Sequence, residues 1–165
     1  MKKLLLLLTI SFFLHFSLSA QTNLFSDNFD SYLTSQKLAK QATGGWWTTW
    51  SGTPGSTEDA AITTEQAFSP GNSAKIITNN DLVLNLNDKT SGRYQIKMQL
   101  FVASNKGAFL GFMQDFNSSN TKFGLTAEFK LNKGVLTAGG QEIDFSFPFN
   151  TWMLVNTIID LDDDF

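Results

Sequence analysis

The chain contains no cysteine, and its one histidine, His15, stands within the first twenty residues. Beyond them there is neither a thiol nor an imidazole. That excludes disulfides, Ser-His-Asp and Cys-His catalysis, and any zinc, haem or iron–sulfur site ligated by His or Cys. Any chemistry has to run on carboxylates, hydroxyls, lysine, arginine or tyrosine. Any metal has to accept oxygen ligands, which favours calcium. Proline is scarce, with three in 165 residues, and forms no linker. Basic residues number 12 against 15 acidic ones and gather in no patch. Nucleic acid and anionic membranes are therefore poor partners.

Only one long apolar run exists. Met1-Lys2-Lys3 leads into Leu4–Leu18, and Ser19-Ala20 offers small residues for cleavage. Residues 1–20 read as a secretory signal peptide cut after Ala20, or after Ser19, too short and wrongly flanked for an anchor. No cysteine follows it to take a lipid. With no second such run, membrane insertion is not expected. Residues 21–165 are then one domain of 145 residues, enough for a core. Losing Lys2 and Lys3 leaves ten basic residues against 15 acidic, a net charge of −5. The expected location is secreted or at the cell surface.

The remainder alternates like strands. In Arg93–Val102, Tyr94, Ile96, Met98, Leu100 and Val102 fall on one face and Arg93, Gln95, Lys97 and Gln99 on the other. This predicts a half-buried antiparallel strand. Asp81–Asn87 repeats the pattern, with Leu82, Leu84 and Leu86 expected inward. Ala74–Thr78, Ala108–Met113, Lys122–Leu131 and Gly134–Ala138 are further short runs. Trp152–Leu161 is apolar on both faces for much of its length, as a central strand would be. Turn-forming residues separate the runs, among them Ser69-Pro70-Gly71-Asn72, Asn105-Lys106-Gly107, Asn132-Lys133-Gly134 and Gly139-Gly140. Only Ser31–Gln41 has room for a helical turn or two. The pattern predicts an all-β, antiparallel two-sheet sandwich or a barrel. Because Asn156–Phe165 runs a strong strand into a polar turn, the natural protein is expected to continue with a returning strand.

The order of motifs carries a resemblance. "FSDNFDSY", "WWTTWSGTPGSTEDAAIT", "SPGNSAKI", "DLVLNLNDKTSGRYQIKMQLFVASNKGAFLGF" and "PFNTWMLVNTIIDLDDD" together resemble the concanavalin A-like, LamG-type jelly-roll module of exported Bacteroidetes proteins. The resemblance covers roughly residues 24–165. It implies a jelly-roll sandwich with a concave face and further domains of the same polypeptide, often a sorting domain for type IX secretion. It implies no single function, because the fold hosts lectins, glycanases and adhesion modules.

Three places carry candidate chemistry. "GGWWTTWSG" holds Trp46, Trp47 and Trp50. An exposed indole is a flat surface on which the apolar face of a sugar can stack. On a continuous strand Trp46 and Trp50 share a face and Trp47 takes the other. Burial of the indoles in the core is the alternative. "QEIDFSF" is similar to the glycanase signature of the same fold, with Glu142 and Asp144 in its first two places. The third should be a glutamate at 146 or 147, where Ser146 and Phe147 stand. Hydrolysis needs that second carboxylate, so enzyme activity is not expected, and Ile143, Phe145, Phe147 and Phe149 read as an inward face. "DLDDD" offers Asp160 and Asp162, with Asp163 and Asp164, to a structural calcium; a solvated turn is the alternative. Glu58-Asp59 is a second acidic candidate. Asn117-Ser118-Ser119 reads as a polar loop. The expectation is a non-catalytic module that binds a polysaccharide or mediates adhesion. A structural spacer or protein-interaction domain is the alternative, and a divergent glycoside hydrolase is a third reading.

Overall fold

The structure, a computed structural model, describes residues 21–116 and 120–163. Residues 1–20, read above as a signal peptide, and Asn117-Ser118-Ser119 and Asp164 lie outside these residues. One short helix, α1 (Leu38–Gln41), is followed by ten strands: β1 (Trp47–Thr49), β2 (Ala61–Thr63), β3 (Ser73–Lys75), β4 (Leu82–Leu84), β5 (Arg93–Phe101), β6 (Ala108–Asp115), β7 (Lys122–Phe129), β8 (Gly134–Ala138), β9 (Gln141–Phe145) and β10 (Trp152–Asp160). All pairing between strands is antiparallel.

Strands β6 to β9 form a meander in chain order, and β10 pairs with β5 as a separate ribbon. The turns explain the meander. Gly139 and Gly140 both have positive φ, 55° and 75°, and lie between the paired residues Ala138 and Gln141. A two-residue hairpin whose central residues both need positive φ strongly favours glycine. At Gly134 a Cβ would run into the ring of Phe145 on the neighbouring strand. The missing side chain lets that ring lie flat across the sheet.

The two layers meet over one core. Val102, Ala127 and Phe129 are buried at its centre. Leu110, Leu136 and Phe145 pack on them from the meander, and Leu100, Met153 and Val155 from the ribbon. Phe129 meets Phe145 and Phe147 edge-on at 5.4 and 5.1 Å, a favoured aromatic arrangement. The chain is therefore an all-β antiparallel sandwich, as its alternation predicts. Two minor ribbons, β1–β4 and β2–β3, complete it.

Three local expectations change. Ile143 faces the same way as Phe145 but is 60% exposed, because the core packing on that face reaches Phe145 and goes no further along β9. In β4 it is Val83 that is buried, while Leu82 and Leu84 are only partly covered. The β1–β4 ribbon is covered on both faces, with Thr49 buried on one and Val83 on the other, so apolar alternation does not select the inner side. Strand β10 is not central: its one neighbour among the described residues is β5.

Candidate functional site

The tryptophans enter the fold through a turn at Gly44 and Gly45, whose φ values of 93° and 74° suit glycine. Only Trp47–Thr49 is strand. Backbone bonds extend its pairing by one residue each way: Asn85 N–H donates to the Trp46 carbonyl at 2.7 Å, and Trp50 N–H to the Asp81 carbonyl at 3.0 Å. Because the regular strand is so short, the expected division of faces fails. Trp46 and Trp47 both pack on Phe25, at ring separations of 5.0 and 5.9 Å. Trp50 stands apart, edge-on to Phe116 at 5.2 Å. All three indoles are half-buried.

What organises the first two is Asp27. Its Oδ2 accepts the Trp47 indole N–H at 2.8 Å and the Tyr32 hydroxyl at 2.7 Å. Its Oδ1 accepts the Phe29 backbone N–H at 2.8 Å, closing a tight turn at Phe29, where φ is 65°. Phe29 packs on Trp47 at 5.8 Å and on Tyr32 at 6.5 Å. Burial, the hydrogen bond to Asp27 and the charge of that carboxylate together push the Tyr32 phenol up to about 12.

The segment 24–32 and Trp46 enclose an open cleft of about 550 Å³, lined by Phe25, Asp27, Asn28, Ser31, Tyr32 and Trp46 among others. The lining combines the Trp46 indole and the Phe25 ring with amide, hydroxyl and carboxylate groups. The tryptophans were legible in the sequence, but Phe25, Asp27, Asn28 and Tyr32 were not recognised as part of a site. Their signal was the density of aromatic and acidic residues in "FSDNFDSY".

Glu142 and Asp144 lie on the outward face of β9, both exposed. Lys133 Nζ binds both oxygens of Asp144 at 2.7 and 2.8 Å. Ser146 is exposed and Phe147 packs into the core, so neither place adds a carboxylate. Glu128 shares the outward face but sits two strands away, across Val135, and pairs with Lys130 at 2.9 Å. Two strand spacings are roughly 10 Å, well beyond the separation of about 5 Å that retaining hydrolysis uses.

Asp160 and Asp162 use their oxygens locally. Asp162 Oδ1 accepts the Gly92 N–H at 2.7 Å, Asp160 Oδ1 accepts the Asp162 N–H at 3.2 Å, and Asp160 Oδ2 lies 3.7 Å from Arg93 Nε. These bonds tie the end of β10 to the start of β5. Asp59 is fully buried and takes backbone N–H groups from Ala39, Lys40 and Gly55 at 2.9, 3.0 and 2.8 Å. It caps the first turn of α1, where Lys37 makes no side-chain cap. Glu58 accepts the Ser51 N–H, which holds its carboxyl below the usual range; Asp81, partly desolvated and near Glu58, is raised. Among the described residues no three acidic groups converge as a metal cage would need.

No helix among the described residues is long and apolar enough to cross a membrane. Comparison with family models, with curated proteins and with solved structures found no match.

Proposed function

We propose that this chain is a non-catalytic carbohydrate-binding module of an exported protein, and that its glycan lies in the cleft between Trp46 and segment 24–32. The observation that carries the reading is the partly exposed Trp46 indole lining a cleft rich in polar groups. A sugar ring offers an apolar face and a rim of hydroxyls. A flat aromatic wall with a few placed donors and acceptors suits both. Trp47 is assigned a supporting role, because its N–H is spent on Asp27. Trp50 is outside the cleft lining. The concanavalin A-like jelly-roll assignment, the secretory route and attachment to further domains belong to the same proposal.

The test is affinity electrophoresis in native gels cast with soluble neutral polysaccharides. One glycan should retard the protein, and Trp46→Ala should migrate as if no glycan were present while keeping the native circular dichroism spectrum. Equal retardation of Trp46→Ala would remove the cleft from the proposal.

A further inference from the structure

The edge of β10 left unpaired among the described residues differs from the edges that sheets normally leave open. Exposed edge strands are usually defended by lysine, proline or bulges. Strand β5 follows that rule on its exposed face, with Arg93 and Lys97. Strand β10 has no charge from Trp152 to Ile159, no proline and no glycine, and its pairing with β5 runs through nine residues without a bulge. Its outward face presents Leu154, 57% exposed, and Ile158, 51% exposed, on either side of the exposed Asn156.

The order of these residues is close to a palindrome. Reversed about Asn156, Leu-Val-Asn-Thr-Ile becomes Ile-Thr-Asn-Val-Leu. An antiparallel partner of the same sequence, centred on Asn156, sets Leu154 against Ile158, Val155 against Thr157 and Asn156 against Asn156. Apolar meets apolar, no like charges oppose, and every residue except Leu154 and Asn156 is a β-branched strand former. Gln95 Nε2 donates to the Asn156 side-chain Oδ1 at 2.9 Å. That oxygen keeps a second lone pair and the amide keeps its NH2, enough for a reciprocal amide pair across a twofold axis.

We propose that two copies of this chain pair through β10, centred on Asn156, as an isologous dimer. The two ribbons then form one sheet in the order β5, β10, β10 of the second copy, β5 of the second copy. The hydrogen-bonding groups on the open edge are satisfied, and both cores stay on the same side.

The chain has no cysteine, so Asn156→Cys introduces a single thiol. Directly opposed residues of an antiparallel pair bring their Cβ atoms within about 5 Å. Mild oxidation of the purified Asn156→Cys protein should give a disulfide dimer in high yield. Gln99→Cys, on β5, should not cross-link, because three strand spacings and a four-residue offset along the strands hold the two thiols well over about 14 Å apart. Sedimentation should show the unmodified protein as a dimer, and Asn156→Lys should weaken it by about tenfold or more by opposing two ammonium groups. Three results would overturn the proposal. The first is a monomer whose β10 amides exchange freely. The second is a monomer with those amides protected, which would mean that another segment of the polypeptide covers the edge. The third is a dimer in which Gln99→Cys cross-links as well as Asn156→Cys.

Discussion

The indole N–H of Trp47 donates to Asp27 Oδ2 at 2.8 Å, joining two segments twenty residues apart. The same oxygen takes the Tyr32 hydroxyl, so one carboxylate ties Trp47, which packs beside Trp46 on Phe25, to the 24–32 segment. Asp27→Ala leaves two side-chain donors and the Phe29 N–H without their acceptor. Loss of about 1–3 kcal/mol is expected from unsatisfied, partly buried donors, read as a lowered denaturation midpoint. Glycan binding should fall with it, because the cleft loses its shape. An unchanged midpoint would show that Asp27 organises nothing.

Tyr32 gives a pH signature of the same contact. Its phenol is raised from 10.0 to about 12, first by burial and then by its bond to Asp27 and that group's charge. The fold thus favours the neutral phenol. Stability from this group is intact below pH 10 and is lost as pH rises through about 12. Absorbance titration at alkaline pH in Tyr94→Phe, which leaves Tyr32 as the one tyrosine, should find the late transition. Adding Asp27→Asn should move it down toward the ordinary value. A transition already at the ordinary value would contradict the hydrogen bond.

Asp59 is a structural carboxylate. It is 0% exposed and accepts three backbone N–H groups. Asp59→Ala orphans all three and uncaps α1, with an expected cost of about 3 kcal/mol or more. The readout is chemical denaturation with and without added calcium. Calcium should make no difference in either protein; a calcium-dependent midpoint in the native protein would reopen an ion site here.

Phe129 joins β7 of the meander to Phe145 at the end of β9 and to Phe147 beyond it. Phe129→Ala should cost about 3–5 kcal/mol, whereas Phe109→Ala, on the exposed outer face, should cost far less. Equal losses would mean that the layers do not enclose the core described.

Long strands were legible because one side of each meets a core. Arg93–Phe101 alternates in burial as its sequence does. Short ones were not. In β4 three residues lie in a ribbon covered on both faces, so period-two reasoning chose Leu82 and Leu84 over Val83. The same brevity defeated the assignment of tryptophan faces, since Trp46 and Trp50 fall outside β1. Strand β10 read as central because Leu154 and Ile158 are apolar, yet both face solvent. The cluster of indoles was visible as a candidate, but its partner Asp27 is brought in by the fold, and no local spacing encodes a contact over twenty residues. Glu142 and Asp144 alternate with Ile143 and Phe145 on β9 and are exposed, with Lys133 bound to Asp144.

Glycan binding at Trp46 can be read in one titration. Intrinsic fluorescence of the protein is followed against a panel of soluble polysaccharides, beside Trp46→Ala and Trp50→Ala. A saturable response to one glycan is expected, and it should persist in Trp50→Ala. In Trp46→Ala the dissociation constant should rise by about tenfold or more, roughly 1.4 kcal/mol of binding free energy. A spectrum that responds to no glycan, or a response that Trp46→Ala retains and Trp50→Ala loses, would contradict glycan binding at Trp46.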